Sequence, residues 1–100
     1  MGLADLLNNL IKKRGQRKAI RNAEWRLGAV EAPGIPQALA DLAGAHADKY
    51  RESKHIPSLG KAADYFAEAA LESRKFRRTA EVKKFKRLAD NYKNRFNQAA

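Results

Sequence analysis

Residues 58–96 read SLGKAADYFAEAALESRKFRRTAEVKKFKRLADNYKNRF, and two apolar stripes in this stretch decide the fold. Leu59, Ala62, Ala63, Phe66 and Ala70 share one face of a helix. Val82, Phe85, Ala89, Tyr92 and Phe96 follow at i, i+3, i+7, i+10 and i+14, with Leu88 alongside. At about 100° per residue the two stripes are out of phase by roughly 100°. The phase changes across Arg74–Thr79, where Thr79 suits an N-cap and Glu81 suits the positive end of a helix. Residues 58–97 therefore read as a basic helical hairpin, or as one long bent helix. Arg77-Arg78 contains no Gly or Pro to force a stop.

Upstream, Leu39, Leu42, Ala43, His46 and Tyr50 mark another helix face, ending near Ser53. The break before it is Ala32-Pro33-Gly34-Ile35-Pro36, with Pro36 suited to the first helical position. The break after it is Lys54-His55-Ile56-Pro57. Nearer the N-terminus, Leu3, Leu6, Leu7, Leu10 and Ile11 form an apolar stripe, and Ile20, Ala23, Leu27 and Val30 form a second. The second is rotated by well over 90° from the first. One straight helix cannot bury both against one partner, so Gly15 is the expected place for a kink or break.

Strand signals are weak: β-branched residues are few and nothing alternates with period two. The expectation is a single all-α domain over residues 1–100, a small bundle of four or five short helices. Residues 1–15 form an amphipathic N-terminal helix, packed or standing out as an extended arm. Residues 16–57 form the middle helices. Leu59–Ala89 departs in spacing from the tetratricopeptide pattern and has no second copy, which excludes a solenoid of that kind. Much of the apolar fraction is alanine, so the core removes little area from water and stability sits low in the usual range.

Charge carries the functional signal. The chain has a formal net charge of +10, and the excess lies in two blocks. Lys12, Lys13, Arg14, Arg17, Lys18 and Arg21 form the first, with no acid among them. Arg74, Lys75, Arg77, Arg78, Lys83, Lys84, Lys86 and Arg87 form the second, against Glu81 alone. The remainder is slightly acidic, so each block reads as a place where the chain meets an anion. In the first, Arg14, Arg17 and Arg21 continue the N-terminal apolar face, and guanidinium matches phosphate bidentately. In the second, Lys83, Lys86, Arg87 and Lys93 outnumber Glu81 and Asp90 at helical spacing and repel one another unless an anion relieves them. Phe85 sits on the apolar stripe and reads as core, whereas Phe76 lies on neither stripe. Trp25, off the Ile20–Leu27 stripe, reads as a core or interface-edge residue rather than a stacking platform.

Other chemistries lack their residues. Cysteine is absent, and neither His46 nor His55 has a second ligand at zinc spacing. Ser53, Ser58 and Ser73 have no base and oxyanion framework, Glu68 and Glu72 read as a solvated pair, and no glycine loop cradles phosphate. No enzyme, cofactor or metal is expected. Leu3–Ile11 is interrupted by Asp5, Asn8 and Asn9, so it reads as neither a membrane span nor a secretory signal.

The leading expectation is a small non-enzymatic protein that binds nucleic-acid phosphate backbone without sequence specificity through the two basic blocks. The alternative is a structural or adaptor protein, viral in one version. It docks its basic faces on an acidic protein, or assembles into oligomers through Leu3, Leu6, Leu7, Leu10 and Ile11. A membrane partner is disfavoured because no Trp or Phe lies on that stripe. The expected compartment is cytoplasmic, or the interior of a virus particle.

Overall fold

A computed structural model describes the backbone of residues 3–99 and the side chains of Gly15 and 17–99. It contains four α-helices: α1 (Leu3–Ala29), α2 (Ile35–Ser53), α3 (Ile56–Lys75) and α4 (Thr79–Ala99). A 3-10 turn, Ala32–Gly34, joins α1 to α2. No strand occurs among the described residues, and the expected all-α bundle is what forms.

The expected break at Gly15 does not occur, because α1 runs through it without interruption. A Cβ placed on Gly15 would meet nothing within 4 Å, so no close packing requires glycine there. Gly in an exposed helix costs about 1 kcal/mol relative to Ala. The surrounding Leu, Lys, Arg and Gln are good helix formers and offset that cost. Only the second stripe is seen to pack: Ala23 is buried, and Ile20, Leu27 and Val30 are half-buried. The side chains of Leu3, Leu6, Leu7, Leu10 and Ile11 lie outside the described residues.

The hairpin reading of residues 58–97 holds, and the bent helix does not form. Backbone hydrogen bonds stop α3 without Gly or Pro. Arg78 N–H donates to the Ser73 carbonyl at 3.0 Å, and Arg77 N–H donates to the Arg74 carbonyl at 3.1 Å. Arg77 itself adopts φ 57°, the left-handed conformation that glycine usually takes at a helix end. This closure consumes Phe76–Arg78 and displaces the expected cap. The Arg78 carbonyl accepts the first bond of α4, from Val82 N–H at 3.0 Å, so Arg78 and not Thr79 occupies the N-cap. At the α2–α3 corner Lys54 plays the equivalent part, with φ 57° and its N–H donating to Tyr50 at 2.7 Å.

Among the described residues, extended packing runs only between neighbours in sequence: α1 on α2, α2 on α3, α3 on α4. With principal extents of 53 × 33 × 16 Å, the four helices form a shallow, slightly rolled row. The roll gathers one core: Leu39, Ala40 and Ala43 from α2, Phe66, Ala69 and Ala70 from α3, and Phe85 and Ala89 from α4. Phe66 lies at its centre, stacked on Phe85 at 6.4 Å and on Tyr92 at 5.6 Å. Alanines at the contacts let the helix axes approach closely and leave the few aromatic rings to supply most of the buried area. This arrangement puts α1 and α4, the two strongly basic helices, on opposite edges of the row.

Candidate functional site

The second basic block is built around the α3–α4 corner. Glu81, in the first turn of α4, accepts a long hydrogen bond from the buried Ser73 hydroxyl at 3.5 Å and pairs with Arg78 at 3.7 Å. The Arg78 guanidinium also lies over the Phe76 ring, 5.2 Å from its centroid. Lys75 pairs with Glu72 at 2.8 Å, and the Lys84 ammonium sits 5.9 Å from the Phe85 centroid. Arg74, Arg77, Lys83, Lys86 and Arg87 are exposed and make no ion pair among the described residues. Along α4, Ala80, Lys83, Lys84, Arg87 and Leu88 line a shallow groove at i, i+3, i+4, i+7 and i+8. One face of α4 thus carries Lys83, Lys84 and Arg87 beside Ala80 and Leu88.

Of the first block, Arg17, Lys18 and Arg21 are exposed on α1. The side chains of Lys12, Lys13 and Arg14 lie outside the described residues. Arg17 faces a cleft it shares with Lys49, Ser53, Lys54, His55, Ile56 and Pro57 at the α2–α3 corner. Lys49, Lys54 and His55 were not singled out as site residues, because they are single charges in an electrically balanced segment. Tertiary packing gathers them beside Arg17 at the N-terminal end of α3, where the helix dipole also favours an anion. The sequence signal that points there is the Lys54-His55 pair ahead of Pro57 at a helix break.

The two blocks do not converge. Arg17 lies near the N-terminus of α3 and Arg74–Arg78 at its C-terminus. The 20 residues of α3 span about 30 Å. The geometry is two basic surfaces at opposite ends and opposite edges, not one.

The aromatics divide in the same way. Phe85 is buried, as expected, and Phe76 is partly exposed under Arg78. Trp25 departs from the core reading: it is 73% exposed and makes no ring contact among the described residues. Its position on α1 is on the side away from Ala23 and Leu27, and α1 has only α2 as an extensive packing partner.

The buried Ser58 hydroxyl lies 2.7 Å from His55 Nδ1 and ties the N-cap of α3 to its first turn. His46 is buried and stacked on Tyr65 at 5.6 Å, with no hydrogen-bond partner on Nδ1. Burial holds its pKa below the ordinary value, and Lys61 and Lys49 push it in the same direction. No group of three metal-ligating side chains occurs among the described residues. Among the described residues no helix is long and apolar enough to cross a membrane. No family model, curated protein or solved structure matches the chain.

Proposed function

We propose that this chain is a small non-enzymatic protein that binds nucleic-acid backbone without sequence specificity. The observation that supports this most is the set of exposed cations at the α3–α4 corner, Arg74, Arg77, Lys83, Lys86 and Arg87, held without ion pairs among the described residues. Like charges this dense repel one another, and phosphate oxygens relieve the repulsion while releasing condensed counterions. Backbone hydrogen bonds close the corner that presents Arg74 and Arg77, and α4 carries the other three. Phosphate contacts position a protein without reading sequence. The chain shows no zinc-finger, basic-zipper or RNA-recognition signature that would add base reading.

Affinity for a random duplex across a salt series tests the proposal. Five phosphate contacts give a slope of log K against log salt of about −4.5, and engagement of both blocks steepens it to between roughly −5 and −7. Absence of binding at about 50 mM salt rules it out. Binding to an acidic polypeptide that a duplex cannot displace favours docking on a protein instead.

A further inference from the structure

We infer that the outward face of α1 takes single-stranded nucleic acid, with Trp25 as the platform on which an unpaired base stacks. This rests on the backbone-binding proposal above for its phosphate contacts and adds to it a class of strand and a second surface.

Trp25 is the only tryptophan of the chain. At 73% exposed it contributes little to the core, and its ring face is open. One turn ahead of it on the same face stands Arg21, and two turns ahead stands Lys18, both exposed. One turn behind come Gly28 and Ala29, too small to cover the ring, and a Cβ at Gly28 would meet open space. Among the described residues no cation–π or ring contact involves Trp25. Arg17 flanks this face and continues the positive charge toward the cleft with Lys49 and Lys54. An exposed aromatic ring in line with guanidinium and ammonium groups is the combination that single strands need, stacking for the base and charge for the backbone. A duplex keeps its bases stacked inside and offers the ring nothing.

Tryptophan emission, excited at the red edge to avoid the three tyrosines, reads this contact directly because Trp25 is its only source. Full-length protein is titrated with an oligothymidylate, with an abasic strand of equal length and charge, and with a duplex. Binding of each is followed independently by anisotropy of a label on the strand. The expected result is that the oligothymidylate quenches Trp25 emission while the abasic strand binds without quenching. Trp25→Ala is expected to weaken oligothymidylate binding about five- to hundredfold and to leave duplex binding unchanged, and Trp25→Phe to retain most of the affinity. Unchanged emission together with equal oligothymidylate affinity in Trp25→Ala overturns the inference and leaves backbone binding intact. If Trp25→Ala instead abolishes self-association or protein docking without altering strand affinity, the face is a protein contact and the inference also falls. Failure of all three nucleic acids to bind removes both proposals.

Discussion

The two basic regions have similar compositions and different constructions. At the α3–α4 corner the cations stand on a clamped turn, with Glu81 holding Arg78 and Ser73, and the neighbouring aromatics are committed elsewhere. Phe85 fills the core and Phe76 lies under Arg78. On α1 the cations stand on one continuous helix at the edge of the row, and the neighbouring aromatic is exposed. A corner whose rings are buried or lie under a guanidinium suits phosphate, whereas an edge helix with an open ring suits phosphate and base together. Basic residues interleaved with aromatics are therefore not one signal. What the aromatic does depends on whether its helix phase points it at the core.

The sharpest test of this contrast compares the aromatics. Phe85→Ala is expected to destabilise the fold by about 3–5 kcal/mol, because it opens a cavity against Phe66. Trp25→Ala is expected to change stability by no more than about 0.5 kcal/mol. Chemical denaturation of both variants checks this, and equal effects break the distinction. Next in size is charge removal at the corner. Arg77→Gln, Lys83→Gln and Arg87→Gln together are expected to flatten the duplex salt slope by about 2.7. The same change at Arg17, Lys18 and Arg21 is expected to act mainly on single strands.

A smaller effect comes from His46. Its folded pKa lies below the unfolded value of 6.5, so the unfolded chain takes up the proton first as pH falls. Its stabilising contribution is complete above 6.5, declines as pH drops below that value, and is lost by the time pH has passed the folded pKa. Burial lowers that pKa most, Lys61, Lys49 and His55 lower it further, and Glu24 raises it. His46→Phe keeps a ring against Tyr65 and is expected to flatten the pH dependence of thermal unfolding between neutral and mildly acid pH. The smallest effect is Gly15→Ala. In a continuous α1 with open space at that position it is expected to stabilise the protein by up to about 1 kcal/mol and to raise helicity. Destabilisation would mean that the chain needs a bend at Gly15.

Much of the fold is legible in the sequence because its cores follow helical phase. Leu59, Ala62, Ala63, Phe66 and Ala70 are all buried, and so are Leu39, Leu42, Ala43 and His46. The errors lie where local rules compete. Glycine suggests a break only when the helix has reason to bend, and α1, packed extensively against α2 alone, has none. Arg77 in the left-handed conformation stands where glycine is expected, so the α3 stop carries no compositional mark. Of the site, the α3–α4 block is readable as a run of charge, whereas the gathering of Lys49, Lys54 and His55 beside Arg17 is a product of tertiary packing alone. Trp25 lies off the packed stripe in sequence as in structure. Its bulk argued for burial and its phase for exposure, and phase prevails.

The most direct test of the central claim, that the exposed cations of the α3–α4 corner are held for phosphate, is the salt dependence of duplex affinity. It is measured for the natural chain and for the chain with Arg77, Lys83 and Arg87 changed to Gln. The account predicts tight binding near 50 mM salt, a slope of at least about −4.5 for the natural chain and a loss of about 2.7 from that slope in the variant. A slope unchanged by the three substitutions, or no binding at low salt, contradicts it.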